Sequence, residues 1–192
     1  MQPIAAPRGR RWAQTLPASV PRLWGQWLCR PGSLTRALQT LGQVEVRIIH
    51  EGVACVPRRA AGQTTVFAGP VWVRDVVLFI DEAAVITARS IASARDSRAV
   101  WRSLRTLQVQ PLASLLYHDP AVTRTTFSYA SFSLARELSN NAERMRGDAV
   151  VVTAWARSST FFRLGAPLCV TEIFMPQLWV KIAKSTDGIG DR

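Results

Sequence analysis

The stretch VWVRDVVLFIDEAAVITARSI, residues 71–91, decides the fold of this chain. Two apolar runs flank the break Asp81-Glu82-Ala83-Ala84, a pattern that predicts a β-hairpin. Each run contains one arginine, Arg74 in the first and Arg89 in the second. A two-residue turn at the first two break residues would place these arginines opposite each other on one face of the hairpin. A four-residue turn would also leave them on one face, whereas a three-residue turn would separate them.

The face that the two arginines would share is otherwise apolar: it carries Trp72, Val76, Leu78, Val85 and Ile91. Like charges opposed across a sheet are destabilising, and burial of an unpaired guanidinium is costly. Because arginine binds carboxylates in a bidentate fork, one hypothesis is a small dicarboxylate held between the two side chains. The alternatives are that each arginine pairs with an internal Asp or Glu, or that one strand is turned so that its arginine reaches water.

Length and composition favour one domain with an ample core, since 48% of the 192 residues are hydrophobic. No apolar run approaches the ~20 residues of a membrane span, so we expect no integral membrane segment. The N-terminus lacks the apolar core of a secretory signal. The three cysteines, Cys29, Cys55 and Cys169, have no CxxC spacing, which favours a reducing, cytoplasmic location.

The formal net charge of +11 raises nucleic acid as a partner. The arginines are scattered, however, apart from Arg8, Arg10 and Arg11, and no DNA-binding or RNA-binding motif accompanies them. We therefore expect the charge to attract small anions or to aid solubility, and we expect no nucleic-acid partner.

The order of apolar patterns predicts residues 1–11 as a mobile basic arm, 12–180 as one domain and 181–192 as a loose C-terminal tail. Predicted helices cover 20–29, 34–41, 97–107, 112–117 and 134–146. Predicted strands cover 44–56 with an interruption at Gly52, the hairpin of 71–91, 122–132, and a second hairpin of 159–164 and 168–175. Such an order is typical of an α+β domain with an antiparallel sheet and helices on one face.

Glu172 in the last predicted strand is a candidate for handling a proton or binding a hydroxyl. It shares a face with the apolar residues Leu168, Val170 and Phe174, where a carboxylate is unusual. The alternative is a structural ion pair with one of the two hairpin arginines.

The start of the second helix offers a further anion-binding feature. Ser33 is a good N-cap, and free backbone N–H groups around Ser33-Leu34-Thr35 can hold a carboxylate. His50 and His118 lie in different elements without zinc-site spacing, and no nucleotide-binding motif is present. We therefore expect a site without metal or cofactor, built from two arginines, a helix N-terminus and one carboxylate.

In the order of these motifs the chain resembles the bacterial chorismate pyruvate-lyase family over about residues 24–176. The motifs are Trp27-Leu28 with Ser33-Leu34-Thr35, Val46 to Gly52, Trp72-Val73-Arg74-Asp75-Val76-Val77-Leu78, Ala88-Arg89-Ser90, Pro111-Leu112 with Leu115-Leu116, Val122-Thr123-Arg124 before Phe127, and Leu168 to Pro176. The chain departs from the family at Ala113, where similar sequences often have glycine, and in a segment around 134–153 that looks inserted.

The resemblance implies a single six-stranded antiparallel sheet with helices on one face and two helical flaps over an interior pocket. It implies that Arg74, with the backbone N–H of Leu34, grips the ring carboxylate of chorismate, while Arg89 holds the enolpyruvyl carboxylate. Glu172 would meet the ring hydroxyl, and Leu112 would line the pocket. The catalytic residues would be Arg89 and Glu172.

The implied reaction converts chorismate to 4-hydroxybenzoate and pyruvate, for ubiquinone biosynthesis, in a cytoplasmic monomer without a cofactor. Release of an aromatic product from a closed pocket would be slow, so we expect product inhibition.

Two other functions compete with this one. The ligand-sensing domains of some bacterial transcription regulators share the fold and bind small molecules without chemistry. Such domains normally follow a winged-helix domain, for which the residues before Val20 are too few, and they are not expected to keep both arginines and the carboxylate. A nucleic-acid-binding protein rests on net charge alone.

Overall fold

The computed structural model describes residues 12–55, 67, 69–135 and 151–187. The helices are α1 (Arg22–Leu28), α2 (Leu34–Leu38), α3 (Ala113–Leu116) and α4 (Pro176–Asp187), with short 3₁₀ helices at Asp96–Arg98 and Arg102–Thr106. The strands are β1 (Val44–Ala54), β2 (Val71–Ile80), β3 (Ala83–Ser93), β4 (Val122–Arg124), β5 (Ser128–Ala135), β6 (Val151–Arg163) and β7 (Ala166–Phe174). Among the helices of these described segments, none is long and apolar enough to cross a membrane.

The strands form one antiparallel sheet in the order β1-β2-β3-β7-β6, with β4 and β5 both paired to β6. β4 pairs with the end of β6 and β5 with the rest of it, so together they occupy the sixth position. The predicted α+β fold with a single antiparallel sheet is confirmed. Within the described residues the sheet has seven strands, and they match the six that were predicted because β4 and β5 lie end to end along β6. The predicted strand 122–132 is broken in two between Arg124 and Ser128.

The helices pack on one face of the sheet, as predicted. One buried cluster joins α1, α2 and α4 to the sheet and includes Trp27, Leu28, Leu34, Leu38, Leu178, Leu78, Ile80, Ile86 and Phe174. A second cluster joins α3 and the second 3₁₀ helix to the same face and includes Leu104, Leu116, Trp72, Phe161 and Leu168. Each fully buried Leu, Ile or Phe side chain contributes about 1.5–3 kcal/mol to stability, so these helices are fixed to the sheet mainly by apolar packing.

The hairpin has the predicted two-residue turn. Asp81 and Glu82 both have positive φ, 45° and 68°, and Ile80 pairs with Ala83. A two-residue turn in which both residues have positive φ matches the twist of the strands that it joins.

A β-bulge directly after the turn overturns the predicted register. Phe79 pairs with Ala84 but Leu78 pairs with Ile86, so Val85 is an extra residue on β3. Because side chains alternate between the two faces of a strand, one extra residue exchanges the faces beyond it.

The prediction that Arg74 and Arg89 share a face is therefore wrong. Arg74 pairs with Ser90, whereas Arg89 pairs with Asp75. Arg74 lies on the face that the helices cover, and Arg89 lies on the opposite face.

Several other elements differ from their predictions. The predicted helix 97–107 is replaced by the two 3₁₀ helices, and β1 continues through Gly52, with its irregularity between Ile48 and His50 instead. The chain from 181, expected as a loose tail, continues α4 as far as Asp187. The predicted helix 134–146 begins with two residues of β5, and its remainder, like the basic arm 1–11, lies outside the described residues.

Candidate active site

A pocket lies between the helix-covered face of the sheet and two short helical segments. The space within it is about 730 Å³, part of which is open to solvent. Its floor consists of strand residues Val46, Arg74, Val76, Leu78, Ile86, Ala88, Ser90, Ser159, Phe161, Val170 and Glu172. Its cover consists of Gly32, Leu34 and Thr35 beside α2, of Gln110, Pro111, Leu112, Ala113, Leu116 and Tyr117 around α3, and of Phe127.

The pocket combines a mostly apolar wall with two charged groups on its floor. Arg74 pairs with Ser90 across β2 and β3, while Glu172 pairs with Ala88 across β7 and β3. Strands β2 and β7 are two strand spacings apart, roughly 10 Å. A small ligand with a carboxylate at one end and a hydroxyl at the other can therefore reach both side chains.

Arg74 is almost completely buried, with 3% of its side chain exposed. Its Nη1 donates to Oε2 of Glu51 at 3.1 Å, and its Nη2 donates to the backbone carbonyls of Gln108 and Gln110. Burial lowers the pKa of Arg74 and the Glu51 carboxylate opposes this, but a guanidinium stays charged in proteins. Arg74 thus brings a buried positive charge to the pocket and links the sheet to the segment before α3.

Glu172 is held in place by Arg157, which faces it across β7 and β6. Nε of Arg157 donates to Oε2 of Glu172 at 2.5 Å. Nη1 of Arg157 donates to three backbone carbonyls, of Trp27, Leu28 and Arg30, at 3.0 to 3.5 Å. Only 2% of the Arg157 side chain is exposed. The sequence-based alternative, an ion pair of Glu172 with Arg74 or Arg89, is wrong, since its partner is Arg157.

Arg89 does not line the pocket. Its Nε and Nη2 donate to the two carboxylate oxygens of Asp75 at 2.7 and 2.8 Å, a bidentate pair on the opposite face of the sheet. The hydrogen bonds that Arg89 donates to the Asp75 carboxylate raise the pKa of Arg89. The expected role of Arg89 in binding a ligand in this pocket is therefore corrected: the structure places it in an internal ion pair.

Leu34 and Leu112 lie where the sequence placed them, in the pocket cover. Ser33 caps α2, because its side chain accepts a hydrogen bond from the backbone N–H of Arg36 at 3.2 Å. Leu34 is the first residue of that helix, so its N–H has no acceptor within the helix. Leu112 precedes α3 and contributes to the wall of the pocket.

Phe127 lines the Glu172 end of the pocket and packs against two arginines, Arg124 and Arg157. The ring of Phe127 has the guanidinium carbon of Arg157 4.3 Å from its centre and that of Arg124 at 3.9 Å. Burial raises the pKa of Tyr117, the Glu172 carboxylate adds to this, and Arg124 and Arg157 oppose it. Phe127 therefore places Arg124 beside the ion pair of Arg157 with Glu172.

The structure thus brings together Arg74, Leu34, Leu112 and Glu172 and leaves Arg89 apart. Sequence reasoning missed Arg157 altogether and assigned no role to Arg124. In the described part of the chain, no group of three or more His, Cys, Asp or Glu side chains is placed to hold a metal ion.

Comparisons with known proteins find relatives of the sequence in one family. The sequence matches the family model described as Chorismate lyase over residues 7–184. A Bordetella pertussis protein named "Probable chorismate pyruvate-lyase" is 37% identical over 175 residues, covering 90% of this chain and 92% of that protein. A Burkholderia pseudomallei protein named "Probable chorismate pyruvate-lyase 1" is 36% identical, covering 91% and 94%. Among solved structures, the effector domain of PhnF from Mycobacterium smegmatis overlaps with a TM-score of 0.45 at 13% identity, covering 76% of this chain and 90% of that one.

Proposed function

Because the chain belongs to the chorismate lyase family, we propose that it eliminates pyruvate from chorismate and releases 4-hydroxybenzoate, a precursor for ubiquinone biosynthesis. One observation carries this proposal: a buried guanidinium, Arg74, and a fixed carboxylate, Glu172, stand two strands apart on the floor of one mostly apolar pocket. The product has a carboxylate and a hydroxyl at opposite ends of an apolar ring, which matches this arrangement.

In the proposed pose, Arg74 binds the ring carboxylate together with the backbone N–H of Leu34. Because Arg74 is buried, little water screens its attraction for an anion, although Glu51 offsets part of its charge. Glu172 accepts a hydrogen bond from the ring hydroxyl through the oxygen that Arg157 leaves available. Apolar side chains, Leu112 among them, contact the faces of the ring.

The proposed reaction is an elimination within one molecule. The ring carbon that bears the hydroxyl loses its proton, and the electrons of that C–H bond form the third double bond of the ring. The ether C–O bond breaks, its electron pair leaves with the enolpyruvate oxygen, and the enolpyruvate takes up a proton on its methylene carbon to become pyruvate. Because aromatisation makes the step strongly favourable, the main tasks of the protein are to orient the substrate and to stabilise the leaving group.

The test is direct. Purified protein mixed with chorismate is expected to form 4-hydroxybenzoate, followed by its absorbance, and pyruvate, followed by coupled reduction with lactate dehydrogenase, in equal amounts. The Arg74→Gln variant, prepared in the same way, is the control for a contaminating lyase. Absence of both products with the wild-type protein would overturn the proposal.

The helical segments that cover much of the pocket lead us to expect slow product release. Rapid mixing of enzyme with excess chorismate should give a burst of 4-hydroxybenzoate close to one equivalent per site, followed by a slower steady rate. A steady rate from the first turnover, without a burst, would show that an earlier step limits the reaction.

Arg89→Gln is expected to lower the free energy of unfolding by about 1–3 kcal/mol, because it breaks a partly buried, bidentate ion pair with Asp75. It is expected to leave kcat/KM for chorismate within about twofold of the wild-type value, since Arg89 lies on the opposite face of the sheet from the pocket. Urea unfolding and steady-state kinetics check the two parts, with Asp75→Asn as the matched variant from the other side of the pair. A large loss of kcat/KM in well-folded Arg89→Gln would restore Arg89 to the mechanism.

A further inference from the structure

The proposed substrate is a dianion, and among the described residues the pocket floor offers one of the two cations that it needs, Arg74. Arg74 accounts for the ring carboxylate, because it lines the pocket although it also pairs with Glu51. Arg89 pairs with Asp75 on the other face of the sheet and does not line the pocket. Arg157 is neutralised by Glu172 and satisfied by backbone carbonyls. The enolpyruvyl carboxylate therefore requires another partner.

Among the described residues, Arg124 is a cation that forms no ion pair, and it packs against Phe127, which lines the pocket. It is the last residue of β4 and pairs with Phe161 of β6, so both side chains lie on the helix-covered face. Its guanidinium carbon lies 3.9 Å from the ring centre of Phe127, and both Phe127 and Phe161 line the pocket.

The hydrogen-bonding state of Arg124 suggests a missing acceptor. Its Nη1 is buried without a hydrogen-bond partner within the described residues. None of the ion pairs among those residues involves Arg124. A buried, unsatisfied donor costs stability, and a charged one costs more. Such groups in native proteins call for an explanation, and binding of an anion supplies one.

The chemistry of the substrate specifies where its second carboxylate lies. In chorismate the ether oxygen and the hydroxyl are on adjacent ring carbons, and the ring carboxylate is opposite the hydroxyl. With Arg74 on the ring carboxylate and Glu172 on the hydroxyl, the enolpyruvyl group must lie at the Glu172 end. Arg124 is at that end, because its guanidinium carbon and that of Arg157, which binds Glu172, lie 3.9 and 4.3 Å from the centre of the same ring, that of Phe127.

We propose that Arg124 binds the carboxylate of the enolpyruvyl group and stabilises the enolpyruvate as its ether bond breaks. This inference rests on the proposed function. Arg124 transfers no proton or electron in this role: it holds the leaving group, and the negative charge that develops on the ether oxygen forms beside its guanidinium.

The test compares two ligands, only one of which carries the enolpyruvyl carboxylate. In Arg124→Gln, kcat/KM for chorismate is expected to fall at least about 30-fold. The dissociation constant for 4-hydroxybenzoate, measured by calorimetric titration, is expected to change by less than about threefold, because the product lacks that group. Arg102→Gln, an exposed arginine on the second 3₁₀ helix, is the matched control and should change neither value.

Each other outcome has a definite meaning. Unchanged kcat/KM in Arg124→Gln, or an equal loss of chorismate turnover and 4-hydroxybenzoate binding, overturns the role of Arg124 while the lyase activity of the wild-type protein stands. Wild-type protein that does not convert chorismate overturns the proposed function, and this inference with it. If Arg124→Gln does not fold, Arg124→Lys keeps a positive charge without the planar fork. It should then raise KM for chorismate while binding 4-hydroxybenzoate normally.

Discussion

Arg74→Gln is expected to lower kcat/KM for chorismate by roughly 30-fold to several thousand-fold, the range for losing about 2–5 kcal/mol from one partner of a buried charge pair. The side chain of Arg74 is 3% exposed, so water cannot replace the lost charge. Unlike the Arg124 variant, this one should also lose affinity for 4-hydroxybenzoate by a similar factor, because the product keeps the ring carboxylate. Calorimetric titration of the product measures that loss without any turnover.

Two controls separate the loss of charge from a disturbed pocket cover. Arg74 also donates to the carbonyls of Gln108 and Gln110, so its replacement frees the segment before α3. Arg74→Lys retains the charge but not the fork, and it should recover part of the product affinity. Glu51→Gln removes the carboxylate paired with Arg74 and should keep product affinity within about tenfold of wild type. Product binding that is unaffected by Arg74→Gln would remove Arg74 from the site.

The hairpin shows which features of a pair of β-strands can be predicted from alternating apolar residues and which cannot. The apolar runs and the turn were predictable, because β-strand patterning and turn chemistry are local properties. The bulge at Val85 was not, since counting residues from the turn assumes that every residue has a partner. A single unpaired residue then reversed the face of everything beyond it.

The sequence did contain a sign of the correct register. Two arginines facing each other on an apolar surface are unfavourable, and a shift of one residue relieves the conflict. The shift places Arg74 opposite Ser90 and Asp75 opposite Arg89, which replaces a repulsion with an ion pair. The unfavourable pairing of Arg74 with Arg89 was thus evidence against the register obtained by counting from the turn, as much as evidence for a bound dianion.

Much of the candidate site was predictable, and the rest was hidden for a physical reason. Glu172 stood out because β7 is otherwise apolar on its face. Arg157 did not, because the polar residues Ser158, Ser159 and Thr160 that follow it are buried on both faces of β6. Alternation between polar and apolar residues is lost in a strand that is buried on both sides. The contact of Arg157 with Glu172 depends on the pairing of β6 with β7, which cannot be read from the sequence.

Arg157→Gln is expected to lower the free energy of unfolding by about 3–5 kcal/mol, the typical cost of breaking a buried ion pair on one side. The substitution leaves Glu172 without its counter-ion and frees three carbonyls at the end of α1. Glu172→Gln should also be strongly destabilising, because it leaves the buried guanidinium unpaired. Equilibrium unfolding in urea, followed by circular dichroism, measures both effects.

The double variant, Arg157→Gln with Glu172→Gln, separates stability from function. Removing both charges leaves two amides that can hydrogen-bond to each other, so the double variant should be more stable than the sum of the single effects predicts. Turnover in it should be no higher than in Glu172→Gln alone, because the carboxylate that meets the ring hydroxyl is gone. Strictly additive losses of stability would show that the two side chains do not act as a pair.

The Glu172→Gln variant also addresses the part that this carboxylate plays in the reaction. Its Oε2 is held by Arg157 at 2.5 Å, and a carboxylate whose charge is matched by a guanidinium is better suited to orient a hydroxyl than to remove a proton. Removal of a general base typically slows a reaction by about 10²–10⁴-fold. We therefore expect kcat of folded Glu172→Gln to fall by less than about 100-fold, since the amide oxygen still accepts the hydrogen bond. A greater fall, with product affinity preserved, would identify Glu172 as the base that removes the ring proton.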